Sequence, residues 1–339
     1  MKKIIWLAVS CSIVASLLLA SCGPSVTEEE EEVVTEEEEA TPTPSPAVTP
    51  ESIIPIIDAH SQFDEYIELE RVIELIDQAG VSVTILSSRA SSMVQMEELL
   101  VSFASVYPGK IIPAVRSKGF MESLGDEYPQ FLELQVAEHQ YGAMAEVLMY
   151  HAALERPNFS CDVIMIHPDD DNVHAAVNCA IDNKWPFIAH IEFVAAGDLR
   201  NEFMTKFKAL LVQYPEHPFV LIHMGQLDHA AVRQLIEAHD NIYFITSSST
   251  PAYTKVADSP PWTNMFDGRN LSADWKQLMI DHPDRFILGF DMVFAEQWGQ
   301  FYLNQVTLWR EAIKELPLEV AHAFAHGNAE RLWHLPPLE

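Results

Sequence analysis

Basic residues are scarce. Only 20 Lys and Arg stand against 50 Asp and Glu in 339 residues, a formal net charge of -30. Setting aside the first 52 residues, with their ten acids and two bases, leaves 40 acids and 18 bases, a net of -22. A body this acidic is unsuited to tracking a phosphate backbone, so nucleic acid is excluded as a partner. It also has no polybasic grip on anionic lipid. Cysteine is nearly absent, with four in the chain. No Gly-x-Ser-x-Gly elbow is present, which leaves a serine-hydrolase reading without support. No phosphate loop occurs and no Gly-x-Gly-x-x-Gly follows the first strand, which disfavours nucleotide cofactors. An internal repeat is also lacking. What is present is a globular composition, 48% apolar and 21% charged, long enough for one large domain or two ordinary ones.

The first 22 residues read as an address. Lys2 and Lys3 precede an apolar run from Ile4 to Ala20, which is short for a spanning helix and right for a signal-peptide core. It ends in Leu19-Ala20-Ser21-Cys22, which looks like a bacterial lipobox with Cys22 as the lipidated residue. Acyl chains on Cys22 would hold the chain to a membrane face of the cell envelope. Gly23 comes directly after the cysteine; in a host with two membranes this favours the outer one. Residues 23–52 carry two Glu blocks and Thr41-Pro42-Thr43-Pro44-Ser45-Pro46. Like charges repel and proline stiffens, so the expectation is a disordered, extended tether. With Cys11 in the signal and Cys22 lipidated, Cys161 and Cys179 remain, either as one disulfide or as two separate buried thiols.

Residues 53–339 read as eight strands alternating with helices. Apolar runs rich in Ile and Val place strands near 53–58, 81–87, 110–116, 143–149, 186–193, 219–224, 242–247 and 285–291. Helical patterns fall between them, for example over 69–79, 93–107, 172–183, 201–213 and 229–239, with closing helices in 304–334. Continuous apolar strands separated by helices predict a parallel sheet covered on both faces. Eight such units in this length match a (β/α)8 TIM barrel.

Polar residues gather at the predicted strand ends. Asp58, His60 and Gln62 share parity at the end of strand 1 and could point to one face. Strand 4 holds Glu146, strand 5 ends in His190 and Glu192, strand 6 in His223, and strand 8 in Asp291. In a closed barrel these ends converge on one mouth, where active sites are built. In an open sheet, strands 1 and 8 would lie about seven spacings of ~4.8 Å apart, too far to share one ion. Arg116 ends strand 3, either to pair with a substrate carboxylate or to pair with an acidic neighbour. Ser247 ends strand 7, either to hydrogen-bond a ligand or to cap the next segment. Of the 14 histidines, His151 and His217 are among those read in helical or loop contexts and given no role. His167 is either a ligand or a structural residue before an Asp-rich turn that reads as a helix start, with Asp170 or Asp171 as N-cap. The connection over 250–275 exceeds an ordinary loop and is expected to form a lid or specificity loop, with Trp262 in it.

Several motifs together resemble a known family. They are Asp58-Ala59-His60, the strand-5 His190, Ile222-His223-Met224-Gly225, the segment from Arg285 to Asp291, and Gly327-Asn328-Ala329-Glu330-Arg331-Leu332. In this order they resemble the amidohydrolase superfamily, in particular its amidohydrolase-2 (aminocarboxymuconate-semialdehyde-decarboxylase-like) branch. The resemblance implies a metal-dependent (β/α)8 hydrolase or, in some members, a non-oxidative decarboxylase. It implies a divalent metal, zinc first, one ion or two. The implied ligands are His60, His190 and Asp291, with His223 polarising the substrate or binding a second metal. The family's strand-1 motif is His-x-His, and this chain departs from it with Gln62, a poorer ligand than imidazole. Glu146 is either a further ligand or a rim charge, and Glu192 either faces the substrate or is a hydrogen-bonded mouth carboxylate. The expected reaction is attack of an activated water on a small amide, ester or lactone. Asp291 would move the proton and His223 would support the oxyanion. A decarboxylase using Arg116, and a barrel retained as a binding lipoprotein, are the alternatives. The expected partners are a small-molecule substrate, the membrane through the N-terminal lipid, and a second copy in a homodimer.

Overall fold

The computed structural model describes residues 53–89, 95–117, 125–156, 159–254 and 260–338. The expected address and tether, and residues 255–259 of the expected lid, lie outside the described residues. Among the described residues no helix is long and apolar enough to cross a membrane.

Eight parallel strands form the barrel. They are β1 (Ile57–Phe63), β2 (Val83–Ser88), β3 (Ile111–Val115), β4 (Ala143–Met144 and Val147–His151), β5 (Phe187–Ile191), β6 (Phe219–Ile222), β7 (Ile242–Ile245) and β8 (Phe286–Ile287). Each pairs in parallel with the next, β4 passing from β3 to β5 across its interruption. Closure comes from three backbone bonds between the ends of the series. Ala59 N–H donates to Leu288 O at 3.0 Å, Asp291 N–H to His60 O at 2.7 Å, and Gln62 N–H to Met292 O at 2.7 Å. Eight helices alternate with the strands: α1 (Leu69–Ala79), α2 (Gln95–Val106), α3 (Tyr128–Glu138), α4 (Asp171–Asn183), α5 (Arg200–Gln213), α6 (His229–Ala238), α7 (Ala273–Asp281) and α8 (Gln300–Lys314). The sequence expectation of a (β/α)8 barrel holds, with helix ends within a few residues of those read from periodicity.

Local chemistry explains the ends. Asp170 caps α4 by accepting from Asn172 N–H, and Asp228 caps α6 by accepting from Ala231 N–H, each satisfying an orphan donor of the first turn. Gly80, at φ +67°, ends α1 in the left-handed conformation that glycine adopts without a Cβ clash. Inside the barrel, Ile57, Val83, Ile188, Val220, Ile245 and Ile287 fill the cylinder, with Leu332 and Trp333 beneath them. A second apolar layer joins the strands to the helices. Fully burying an aliphatic side chain is worth about 1.5–3 kcal/mol, so these layers set the register of the cylinder. Gly289 lets β8 approach β1: a Cβ there would lie 2.6 Å from Ile245 Cγ2 and 3.3 Å from His60 N.

Strand 1 differs from expectation in an instructive way. It runs over Ile57–Phe63 rather than 53–58, and every residue in it is buried, polar ones included. Its register shifts between Asp58 and Ser61, a bulge that takes Asp58 off the face shared by His60 and Gln62. Asp58 turns to the β1–β8 seam, accepting from Phe290 N–H at 3.0 Å and Ser61 Oγ–H at 2.6 Å. Burial pushes the Asp58 carboxyl up to about 7 against those hydrogen bonds. Cys161 and Cys179 are free thiols, both half-buried.

A groove of about 540 Å³ opens on the loops that precede the strands, lined by Lys184, His217, Asp240, Tyr243 and Arg331 among others. It lies at the end of the barrel opposite the polar strand ends, so donor chemistry rather than cavity size locates the site. His217 borders it, and burial lowers its imidazole to about 4. The sign comes from linkage. The unfolded chain takes a proton near pH 6.5, while the folded chain stays neutral down to about 4. Stability is therefore expected to fall as the pH drops from 6.5 toward 4, by on the order of 1 kcal/mol once the shift is discounted for the partial exposure of the ring. Urea unfolding of wild type and His217→Phe across this range checks it; parallel pH profiles would refute the assignment.

Candidate metal centre

Five strand ends deliver the site. β1 contributes His60 and Gln62, the interruption of β4 contributes Glu146, β5 His190, and the residues after β6 and β8 contribute His223 and Asp291. All six are buried, between 0 and 7% exposed. Ser117 holds the β4 interruption open: its Oγ lies 2.8 Å from Ala145 O and 2.7 Å from Glu146 O. Tyr128 Oη–H pins Ser117 O in turn at 3.0 Å. His223, Ser248 and Asp291 all have positive φ, at 55°, 55° and 51°. Non-glycine residues there store about 1–3 kcal/mol each, which the surrounding fold must impose. The strain falls at the ends of β6, β7 and β8, where the candidate side chains turn inward.

The donor atoms meet closely. His60 Nε2 is 3.3 Å from Asp291 Oδ1 and 3.8 Å from Glu146 Oε1. His223 Nε2 is 3.4 Å from Asp291 Oδ2, and His190 Nδ1 is 2.6 Å from Glu146 Oε2. The donors form overlapping groups, His60–Glu146–Asp291 and Glu146–His190–His223, that could each hold an ion. Ligands about 2.1 Å from a tetrahedral ion stand ~3.4 Å apart. The 3.3, 3.4 and 3.8 Å separations match that spacing, and imidazole with carboxylate is a set that divalent metals favour. The residues therefore fit a divalent metal. The 2.6 Å contact of His190 with Glu146 is a charge-assisted hydrogen bond of the protonated imidazole, a proton that metal binding displaces.

The outer contacts fix the tautomers. His223 Nδ1 lies 3.2 Å from Ser247 O and 3.0 Å from Ser247 Oγ; with its hydrogen donated to the carbonyl, which can only accept, Nε2 turns a lone pair inward. Burial lowers the His223 imidazole to about 4, and attraction to Asp291 offsets this only in part. His190 Nε2 lies 3.2 Å from Glu192 Oε1, which leaves Nδ1 for the centre once the ring is neutral. Burial opposes the charge on His190, but Glu146 and Glu192 prevail and raise it to about 9. Burial would raise Asp291, yet the hydrogen bond and charge of His60, with His223, hold its carboxyl below the usual range.

The structure brings His60, Gln62, Glu146, His190, His223 and Asp291 together. It gives three other predicted residues different company. Ser247 backs His223, its Oγ 3.0 Å from Nδ1. Glu192 has one oxygen on His190 and accepts Ala152 N–H with the other at 3.0 Å. Arg116 donates from Nη1 to Glu97 Oε1 at 3.3 Å, the acidic-neighbour alternative. Gln62 presents its amide nitrogen, not its oxygen, to the carboxylates, at 2.9 Å from both Glu146 Oε1 and Asp291 Oδ1.

His151 escaped the sequence reading, and Trp262 was placed there only as part of the expected lid. β4 extends to His151, whose ring lies 5.2 Å from that of His190. Its parity with Val147 and Met149 was the available signal. Trp262 stands edge-on to His223, with centroids 4.8 Å apart. Thr263 Oγ–H on Leu227 O at 2.8 Å and Met265 N–H on Ser249 O at 3.0 Å anchor its segment. The described part of the long connection thus does reach the mouth.

A family model described as amidohydrolase (Amidohydro_2) matches residues 158–335. No curated protein matches the chain in sequence. Among solved structures, an uncharacterized TIM-barrel protein of Bordetella bronchiseptica is similar at 17% identity and TM-score 0.53, over 79% of this chain and 83% of that one. A probable 2-pyrone-4,6-dicarboxylic acid hydrolase of Acinetobacter baumannii, solved with citric acid bound, is similar at 12% identity and TM-score 0.51, over 82% and 99%. An amidohydrolase of Burkholderia multivorans, solved with zinc bound, is similar at 16% identity and TM-score 0.50, over 83% and 99%. At these identities the likeness establishes the barrel fold.

Proposed function

Because the chain belongs to the amidohydrolase family, we propose that it is a metal-dependent hydrolase of a small amide, ester or lactone, held at the cell envelope by lipid on Cys22. The observation that carries the catalytic reading is the convergence of three imidazoles and two carboxylates, from five strands, at donor spacings of 2.6 to 3.8 Å. Glu146, His190 and His223, with His60 and Asp291 alongside, form the donor cluster that would hold a divalent cation, zinc first. When bound, the cation supplies Lewis acidity to a carbonyl oxygen and acidifies water.

The chain's own groups do the rest. Asp291 is held ionised by His60 and His223, so its carboxylate accepts a proton from the attacking water and returns it to the leaving group. His223 stays neutral and turns its Nε2 lone pair toward the centre, which suits it to metal binding rather than to donating to an oxyanion. Glu192 holds His190 in the tautomer that offers Nδ1. Trp262 walls the mouth beside His223 and gives a planar substrate a face to stack on.

A decarboxylase would hold the substrate carboxylate at the same metal ligands, with Arg116 assisting. Arg116, the residue read for that task, is paired with Glu97, so hydrolysis is preferred. The deciding experiment is a panel of amides, lactones and aryl or muconate-like acids offered to the metal-loaded chain, with carbon dioxide measured alongside hydrolysis. Release of carbon dioxide without hydrolysis would overturn the hydrolase reading. For the anchor, mass spectrometry of the envelope fraction should find acyl chains on Cys22, lost in Cys22→Ala; an unmodified Cys22 refutes it.

A further inference from the structure

Of three donor groups among the described residues, His60–Glu146–Asp291, Glu146–His190–His223 and His151–His190–Glu192, the first two overlap in Glu146, and Gln62 distinguishes them. Its Nε2 lies 2.9 Å from Glu146 Oε1 and 2.9 Å from Asp291 Oδ1. These are the same two oxygens that stand 3.8 and 3.3 Å from His60 Nε2. The amide nitrogen therefore sits between the carboxylates of the His60 group, where an ion joining them would have to be. Both its hydrogens serve there, one on each carboxylate. The side chain is completely buried. Reversing the amide would set its oxygen against two anionic oxygens, which the geometry of the group forbids on charge alone.

In the Glu146–His190–His223 group the donors touch one another, Glu146 Oε2 and His190 Nδ1 at 2.6 Å, so a cation there displaces the proton between them rather than a side chain. Glu146 faces His190 Nδ1 with Oε2, its second oxygen. His190 has its remaining nitrogen on Glu192, and His223 has its remaining nitrogen on Ser247. Each imidazole is thus oriented from behind by a protein acceptor, with its ligand nitrogen turned inward, the arrangement that prepares histidine for a metal. Asp291 Oδ1 is occupied by Gln62 and lies beside His60, while its Oδ2 stands 3.4 Å from His223 Nε2, next to this group.

We infer that the Gln62 carboxamide fills one of two overlapping cation positions, so that the chain takes a single divalent ion at Glu146, His190 and His223 and uses His60 and Gln62 to position Asp291. The inference rests on the proposed metal-dependent function and gives it a metal count and a division of labour. Gln62 and His60 are positioning residues here: they act on the reaction through Asp291.

The test uses the full chain, loaded with zinc or manganese, desalted, and measured for metal per chain by mass spectrometry and for affinity by chelator competition. Wild type should hold one ion. His190→Ala and His223→Ala should weaken it by a factor of about 100 or more, whereas His60→Ala should leave both count and affinity as in wild type while lowering turnover. Gln62→Glu and Gln62→His remove the bridging donor and add a ligand atom. Each should raise the count to two, with circular dichroism confirming the fold. Two ions in wild type, a count that stays at one in both folded Gln62 variants, or a loss in His60→Ala as large as in His190→Ala would each overturn the inference and leave the metal-dependent function standing. No ion in any variant would overturn both. Should the Gln62 variants fail to fold, the comparison of His60→Ala with His190→Ala decides alone.

Discussion

Asp291→Asn is expected to lower kcat/KM by about 10³ or more while the chain remains folded. The carboxylate is the proton carrier of the proposed reaction, and positioned acid–base groups contribute about 10²–10⁴ in rate. The carboxamide has the same shape and cannot accept and return that proton. The fold should tolerate it for two reasons. Residue 291 sits at φ 51°, a left-handed conformation that Asn adopts almost as readily as Asp. An Asn oxygen can still accept from Gln62 Nε2, which lies 2.9 Å from Asp291 Oδ1, so the contact that positions residue 291 survives the loss of charge. Metal content and thermal midpoint should therefore stay near wild type. Normal turnover in this variant, or loss of the fold, would refute the role.

Stripping the chain of metal is expected to abolish turnover, and reloading to restore it. The effect should also be visible without any substrate. Glu146, His190 and His223 bring three buried donors to one point, and a carboxylate buried there favours whatever cation joins it to the two imidazoles. An ion that binds only the folded state adds about 2.7 kcal/mol at a hundredfold excess over its Kd. For a domain of this size that is a rise in thermal midpoint on the order of 5 °C. Scanning calorimetry of the chelated chain with and without added zinc measures it. A midpoint indifferent to zinc, manganese and cobalt alike, with turnover surviving chelation, would remove the metal from the mechanism.

The sequence by itself determined the barrel and the identity of its polar strand ends. Eight apolar runs separated by amphipathic helices can bury both faces of their sheet in only a few ways, and that pattern is written in local periodicity. His60, His190, His223 and Asp291 were legible because each closes such a run. Tertiary structure decided what local order cannot carry. The bulge between Asp58 and Ser61 sent Asp58 to the β1–β8 seam, out of the face that parity assigned it. Arg116 met Glu97, and Ser247 met His223, because helices and neighbouring strands brought them together. His151 and Trp262 reached the mouth from a strand two residues longer than its apolar core and from a long connection, neither of which periodicity describes. Gln62, a mere departure from a motif in one dimension, became a bridge between carboxylates 84 and 229 residues away. The physical reason is common to all of these. Hydrophobic burial is set by short-range pattern, whereas hydrogen bonds and charges take their meaning from the partner across space, and only closure of the cylinder supplies that partner.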